Sequence, residues 1–278
     1  MRRSVRARTG ADLPALGQGT WMMGVDSRAR RAEAAALRTG IDFGMTLIDT
    51  AEMYADGGAE EVVGDAIAGR RDDVFLVTKV LPENASRAGT LQAAERSLRR
   101  LRTDRIDLYL LHWESAHPLE ETLAAFVRLR EEGKVLHYGV SNFDAADMER
   151  AAALPGGIGI ASNQVLYNLR RRGIERRLLP WCVERGIVVM AYSPFDGGRL
   201  SLGGAVESVA RRHGATPAQA ALAWTLRLPG VVTIPKASSL EHVRENAGAE
   251  GIRLSVDDLA ELDSAFPAPA GEVPLETA

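Results

Sequence analysis

VFLVTKV at residues 74–80 and IDLYLLH at residues 106–112 are short apolar runs, each with a basic or titratable side chain at or next to its end. Between them, residues 91–101 (LQAAERSLRRL) have the amphipathic pattern of a helix. Near-continuous apolar runs indicate strands that are buried on both faces, as in a parallel sheet covered by helices. The stretch from 74 to 112 therefore predicts one strand–helix–strand unit.

The same alternation of apolar runs and amphipathic stretches continues along the chain. Six further runs have strand character: ALGQGTW (15–21), TLID (46–49), VLHYGVS (135–141), ASNQVLY (161–167), IVVMAYS (187–193) and VVTIP (231–235). Glycines at 40, 69 and 133 follow amphipathic stretches, where helices commonly end. Eight such units predict an α/β protein with a (β/α)8 TIM barrel. A doubly wound parallel sheet is the alternative on pattern alone.

The two ends of the chain fall outside this repeat. VRARTGADLP at 5–14 predicts a polar N-terminal β-hairpin that caps the bottom of the barrel. LSVDDLAELDSA at 254–265 predicts an added C-terminal helix with Ser255 as its N-cap, followed by an irregular, proline-broken tail. Because no linker divides the chain, we expect residues 1–278 to form a single domain.

Composition excludes several classes of protein. The net charge is −3, from 34 basic and 37 acidic residues, which gives no reason to expect nucleic acid or an anionic membrane as a partner. The basic opening MRRSVRAR is followed by no apolar run, so it does not resemble a secretory signal, and every apolar run is too short to span a membrane. The single cysteine, Cys182, suits a reducing cytoplasm and a buried helical position.

Polar side chains recur where predicted strands end. Asp49, Lys79 and His112 end three consecutive strands, and Tyr54 follows Asp49 on the same loop. Barrel active sites lie at the carboxyl ends of the strands. Singly, Asp49 could cap a helix, His112 could be a satisfied core histidine and Lys79 could extend its ammonium group to solvent; together they predict a site.

These four residue types suit proton transfer to a carbonyl oxygen. A free tyrosine has a pKa near 10, and a nearby ammonium favours the phenolate. We therefore expect Lys79, held charged by Asp49, to lower the pKa of Tyr54, and His112 to donate a hydrogen bond to the substrate oxygen. With one histidine, one aspartate and no CxxC or HxH spacing, the set predicts no metal site.

Seven segments together resemble the aldo-keto reductases, in order and across nearly the whole chain: LIDTAEMY, FLVTK, LYLLHW, GVSNF, NQVLYN, AYSPF and IPKA. The resemblance implies a barrel reductase with Asp49, Tyr54, Lys79 and His112 as its catalytic tetrad. LGQGTW, AEMYADGGAE and LLPWC are most similar to bacterial members that reduce methylglyoxal and other small aldehydes.

The resemblance also implies that NADPH or NADP+ lies extended across the barrel mouth. The residues implied to contact it are Gly19, Thr20, Trp21, Asp49, Ser141, Asn142, Gln164, Tyr192, Ser193, Phe195, Lys236, Ser238, His242, Glu245 and Asn246. Among these, Ser141, Asn142 and Gln164 would bind the nicotinamide carboxamide and Tyr192 would stack on its ring. Ser193 and Phe195 would begin a loop over the pyrophosphate, with hinges at Gly197 and Gly198.

The adenosine end departs from the family pattern at one position. Lys236 and Ser238 would contact the phosphate on the adenosine ribose, with Glu245 and Asn246 beside the adenine. The family commonly has an arginine six residues after that lysine, and this chain has His242. A histidine is only partly charged at neutral pH and lacks the arginine fork. NADPH is still expected over NADH, since Lys236 is one of three lysines in the chain.

Trp21, Met53 and Trp113 are expected to line the substrate pocket, whereas Trp224 is expected in the core. The sequence thus predicts hydride transfer from NADPH to a small aldehyde or ketone, with Tyr54 as the general acid.

A cofactor-binding regulatory subunit with little turnover is an alternative from another class. An isomerase or aldolase with Lys79 as a Schiff base explains fewer of the motifs. We expect a monomer, with a dimer as the alternative.

Overall fold

Eight parallel strands form a closed barrel in the computed structural model, which describes residues 3–277. The barrel strands are β3 (Gly17–Gly19), β4 (Leu47–Asp49), β5 (Phe75–Val80), β6 (Ile106–Leu111), β7 (Val135–Ser141), β8 (Ile160–Leu166), β9 (Val188–Tyr192) and β10 (Val231–Thr233). Each pairs in parallel with the next, and bridges from Leu16 to Thr233 and from Gly19 to Lys236 join the first strand to the last. The predicted (β/α)8 TIM barrel is confirmed.

The hairpin predicted ahead of the barrel is present. Strands β1 (Ser4–Arg6) and β2 (Asp12–Pro14) pair antiparallel. Its apolar side chains Ala7, Ala11 and Leu13 share one buried cluster with inward-facing barrel residues, which include Leu47, Val77, Leu108, Leu110, Val188 and Met190. The hairpin therefore closes one end of the barrel. Residues 1, 2 and 278, part of the basic N-terminal run and of the tail, lie outside the described residues.

Helices surround the barrel. They are α1 (Arg30–Asp42), α2 (Gly58–Ile67), α3 (Arg87–Leu101), α4 (Leu119–Glu131), α5 (Ala145–Ala153), α6 (Leu178–Glu184), α7 (Ala205–Arg212), α8 (Pro217–Thr225), α9 (Leu240–Ala247) and α10 (Val256–Ala265). Trp224 on α8 and Cys182 on α6 are fully buried, as predicted. Burial raises the pKa of the Cys182 thiol to about 12, so it is inert at neutral pH. None of the helices within residues 3–277 combines the length and the hydropathy of a membrane-spanning segment.

Two helices lie outside the strand–helix repeat and pack against each other. Helix α10 begins at the predicted N-cap Ser255, whose hydroxyl accepts from the Asp258 backbone N–H. Arg212 at the end of α7 donates to the Asp258 carboxylate at 2.8 Å, and His213 Nε2 lies 2.7 Å from its other oxygen. The sequence pattern predicted α10 but missed α7, which is short.

Gly40 does not end a helix, contrary to the prediction. Helix α1 continues to Asp42, and a Cβ on Gly40 would lie 1.9 Å from Oε1 of Gln18. Buried Gln18 donates to the carbonyl oxygens of Leu37 and Met45. Gly40 is therefore explained by the close approach of a barrel side chain to the helix. Gly69 and Gly133 do follow helices, with φ of 76° and 73°.

Candidate active site

Lys79 is the centre of a hydrogen-bonded group inside the barrel mouth. Its Nζ donates to Asp49 Oδ2 at 2.9 Å, to the Thr50 carbonyl oxygen at 2.9 Å and to the Tyr54 hydroxyl at 3.1 Å. Alternation along a strand places Asp49 and Lys79 on the same inward face as Leu47 and Val77. Lys79 is fully buried, and each of the three N–H donors of its ammonium group has a protein acceptor.

The buried ion pair keeps Lys79 in its charged form. Burial acts to lower the pKa of Lys79, but the charges and hydrogen bonds of Asp49 and Tyr54 together outweigh it, and the pKa stands above its ordinary value. Asp49 is held on its second oxygen as well, where Gln164 Nε2 donates at 2.7 Å. The Asp49 carboxylate thus fixes the position of the ammonium beside Tyr54.

The predicted lowering of the Tyr54 pKa is wrong in its net direction. Lys79 does act to lower the pKa of Tyr54, but burial acts in the opposite direction and is larger, so the pKa stands above the ordinary tyrosine value. Only 8% of the surface of Tyr54 is exposed. The phenol is therefore protonated at neutral pH, which is the form that can donate a proton.

A short turn brings Tyr54 back over the mouth. Residues Tyr54–Gly57 form a single tight turn in which Ala55 and Asp56 have left-handed backbone angles, and Gly57 follows at φ 88°. Left-handed angles at non-glycine residues are strained and concentrate at functional sites. Trp21 packs edge-on against the Tyr54 ring at 5.0 Å between centroids.

His112 completes the predicted tetrad as a neutral side chain. Its ring lies 5.8 Å from that of Tyr54 and 4.8 Å from that of Trp113, between centroids. Burial, aided by the charge of Lys79, lowers the pKa of His112 to about 2. Its Nδ1 is buried and has no hydrogen-bond partner among residues 3–277. The neutral ring has one nitrogen that can donate a hydrogen bond and one that can accept.

Amide and hydroxyl groups line the mouth beside the tetrad. Asn142, in a left-handed conformation at φ 59°, donates to the His112 carbonyl oxygen at 3.1 Å and accepts from the Tyr192 hydroxyl at 2.9 Å. Ser141 donates to the Gln164 carbonyl oxygen at 2.9 Å. These residues, predicted from separate segments, are brought together by β7, β8 and β9.

The loop after β9 contains a residue that sequence reasoning missed. Ser193 and Phe195 are half-buried, and Gly197 and Gly198 have φ of 63° and 85°. Asp196, between Phe195 and Gly197, is fully buried. Its carboxylate accepts from Arg170 at 3.1 Å and from Arg171 at 3.2 Å. Its partners follow β8, so the pairing is not visible in the loop's own sequence.

The residues predicted to line the substrate pocket lie at the open side of the site. Trp21 is 53% exposed, while Met53 and Trp113 are half-buried. Gly19 and Thr20 precede Trp21 at the end of β3, where the Thr20 hydroxyl donates to the Asp49 carbonyl oxygen at 2.9 Å. The site therefore combines a buried polar floor with an exposed apolar rim.

The predicted adenosine end is more open. Lys236 is exposed and its Nζ donates to the Ser238 hydroxyl at 3.1 Å. His242 is exposed in the first turn of α9, where its backbone N–H donates to the N-cap Ser239 at 3.2 Å. Glu245 is half-buried and Asn246 is buried on the same helix. An ammonium and a hydroxyl at the rim are a donor set that suits a phosphate group.

The tail runs past a separate cavity of about 320 Å³. Arg171 pairs with Glu276, and Arg177 with Glu272 at 3.2 Å, so the tail is fastened to the segment after β8. The cavity is lined by the tail, by the start of α5 and by the stretch from the end of β8 to the start of α6, and no tetrad residue lines it. Across residues 3–277, no cluster of three or more histidine, cysteine or acidic side chains is placed to hold a metal ion.

Known proteins share this sequence and fold. The model of the Aldo/keto reductase family matches residues 15–266. Methylglyoxal reductase YeaE of Escherichia coli strain K12 is 53% identical over 269 residues, covering 95% of each chain. Glyoxal reductase of Bacillus subtilis strain 168 is 32% identical over 267 residues, covering 95% of this chain and 93% of the relative. An aldo/keto reductase from Klebsiella pneumoniae, solved with NADP and acetate, superposes with a TM-score of 0.96 at 50% identity and covers 100% of both chains. The chain therefore belongs to the aldo/keto reductase family.

Proposed function

We propose that this chain is an NADPH-dependent reductase of small aldehydes and ketones. The observation that carries the proposal is the buried contact of Lys79 with both Asp49 and Tyr54 below an open, aromatic rim. A protonated phenol beside a fixed ammonium is suited to donate a proton to a carbonyl oxygen and to leave a stabilised phenolate.

The four tetrad residues have separate roles in the proposed reaction. Bound NADPH would supply hydride to the carbonyl carbon, and Tyr54 delivers the proton from its hydroxyl to the carbonyl oxygen. Lys79 stabilises the phenolate that this leaves, and Asp49 keeps Lys79 charged and in place. His112 is neutral, so it positions the carbonyl oxygen by a hydrogen bond without competing as the acid.

The hydrogen-bond donors at the predicted adenosine end fit a phosphorylated dinucleotide. Lys236 and Ser238 would hold the phosphate on the adenosine ribose, and His242, Glu245 and Asn246 would lie beside it. Ser141, Asn142, Gln164 and Tyr192 would hold the nicotinamide end, with Gly19, Thr20 and Trp21 along one side and Ser193 and Phe195 in the covering loop. Solved relatives with NADP or NADPH bound support this assignment.

The substrate we infer is a small 2-oxoaldehyde such as methylglyoxal. Trp21, Met53 and Trp113 would fix the plane of a compact carbonyl compound at the mouth. Relatives named methylglyoxal and glyoxal reductases support this substrate class. We further propose that residues 1–278 act as one cytoplasmic domain and as a monomer.

The deciding experiment follows NADPH oxidation with methylglyoxal and with nitrobenzaldehyde, beside a fluorescence titration of NADPH binding. The expected result is turnover that saturates with aldehyde. Tight NADPH binding without turnover of any small aldehyde would instead favour a regulatory, cofactor-binding subunit. Trapping of substrate on Lys79 by borohydride would favour Schiff-base chemistry and contradict the proposal.

A further inference from the structure

A cluster of three charged side chains lies behind the loop that carries Tyr54. None of the three takes part in the proposed reaction. We call Glu52, Glu60 and Arg100 the support cluster. The side chain of Glu52 is 5% exposed and that of Glu60 is fully buried, while Arg100 reaches them from α3. Buried ion pairs give little net stability over apolar residues of similar volume. Stability alone therefore does not account for these three charged side chains.

Glu52 ties the Tyr54 loop to the chain segment that follows Lys79. It stands two residues before Tyr54, and its Oε1 accepts from the Leu81 backbone N–H at 2.8 Å and from Asn84 Nδ2 at 2.9 Å. Leu81 is two residues beyond Lys79 in the chain. One carboxylate thus joins the two backbone segments that bear the phenol and the ammonium.

Arg100 supports the same loop from behind. Its Nε donates to Glu60 Oε2 at 2.6 Å, and its Nη2 lies 4.0 Å from Glu52 Oε2, which also accepts from Arg96 Nη2 at 3.3 Å. A Cβ on Gly57 would lie 2.4 Å from Arg100 Nε, so the guanidinium packs directly against the turn that begins at Tyr54.

Glu60 links the support cluster to the strand of Lys79. The hydroxyl of Thr78, the residue before Lys79, donates to Glu60 Oε1 at 2.6 Å. Alternation along β5 places Thr78 outward where Lys79 points inward. The strand that presents the ammonium and the turn that presents the phenol are therefore fastened to the same three charged side chains.

We propose that the support cluster positions Tyr54 against Lys79, with Glu52 as its principal positioning residue. This inference rests on the proposed reductase activity and adds residues that act on the reaction only through Tyr54. Small displacements of a proton donor reduce the chemical step far more than they reduce binding. The support cluster should therefore affect kcat and leave cofactor affinity unchanged.

Glu52→Gln tests this at nearly constant volume. We expect kcat for methylglyoxal to fall by about tenfold to a hundredfold. The KM for aldehyde and the Kd for NADPH should stay within about twofold, since Glu52 contacts neither site. Asn84→Ala, which removes one of the hydrogen bonds to Glu52, should give a smaller loss in the same direction. Glu95→Gln on the outer surface of α3, whose carboxylate pairs with Lys134, is the matched control and should behave as wild type.

The pH profile separates positioning from simple loss of folded enzyme. Tyr54 is faced by Lys79, Asp49 and His112, and Lys79 acts to lower its pKa. If Tyr54 moves away from Lys79 in Glu52→Gln, its pKa rises and the alkaline limb of kcat for reduction moves to higher pH. Loss of folded protein would lower kcat without moving that limb.

Three outcomes overturn the inference while leaving the reductase assignment intact. They are an unchanged kcat in Glu52→Gln, a reduced kcat with an unmoved alkaline limb, and a limb that moves to lower pH, as removal of a negative charge alone would cause. A wild-type enzyme without turnover would instead remove the proposed function itself. In that case, an unaltered Tyr54 pKa by NMR in Glu52→Gln would refute the positioning role independently.

Discussion

Two of the three lysines in this chain stand at opposite ends of the proposed cofactor path, in contrasting surroundings. Lys79 is fully buried, and its ammonium is held by Asp49, Thr50 and Tyr54. Lys236 is exposed and donates to Ser238 on its own loop. The fold itself therefore completes the catalytic end, whereas the adenosine end offers exposed donors that suit a ligand.

The contrast is sharpest at Tyr54, where the largest effect is expected. Tyr54→Phe removes the proton donor but leaves the ring that packs on Trp21, so turnover should fall by about 10²–10⁴-fold. NADPH affinity should be nearly unchanged in a fluorescence titration, because the hydroxyl is bonded to Lys79 within the protein. A variant with wild-type kcat would refute the role of Tyr54 as the acid.

Lys79→Met tests the buried end for both activity and stability. Asp49 would keep its bond to Gln164 but lose its charged partner, and an uncompensated buried charge costs about 3–5 kcal/mol. We expect a lower midpoint in urea unfolding and a large loss of kcat in the folded fraction. If both stability and kcat matched those of the wild type, Lys79 would be no more essential than an exposed lysine.

The buried end should also show its burial in a pH titration. Because the folded-state pKa of His112 is about 2, below that of an exposed histidine, the unfolded chain binds the extra proton first. The free energy of unfolding should therefore fall as pH drops below about 6.5, by up to about 1.4 kcal/mol per pH unit for this group. Denaturant unfolding at several pH values measures it, and His112→Gln should flatten that slope.

Lys236→Met is the matched substitution at the exposed end. Loss of a charge-assisted contact should weaken NADPH binding by about 1.5–3 kcal/mol, with little change for NADH. Stability and kcat at saturating NADPH should not change, since Lys236 contacts no tetrad residue in the described chain. Equal weakening for both cofactors would show that Lys236 does not face the distinguishing phosphate.

Local rules of sequence predicted the strand-end residues of the site, but they could not predict contacts between distant segments. Asp49, Lys79 and His112 were predicted because strand alternation and the carboxyl-end position of barrel sites are local rules. The pKa of Tyr54 was predicted in the wrong direction because the loss of hydration on burial, which outweighs Lys79, depends on packing from several segments. Asp196 with Arg170 and Arg171, and helix α7 with α10, depend on partners distant in sequence. Gly40 was misread for the same reason, since its neighbour Gln18 comes from β3.

A modest change in cofactor preference is expected at His242, in the first turn of α9. His242 and Lys236 are both exposed, and an arginine at 242 could add one forked contact to the phosphate on the adenosine ribose. His242→Arg should tighten NADPH relative to NADH by about 1 kcal/mol, measured as the ratio of the two dissociation constants. His242→Gln, which lacks the positive charge, is the control and should not raise that ratio. Because the N-cap bond of His242 is made by its backbone N–H, helix α9 should be unaffected by either substitution. An unchanged or reversed ratio in the arginine variant would mean that this turn of α9 does not face the phosphate, and that Lys236 and Ser238 set the preference without it.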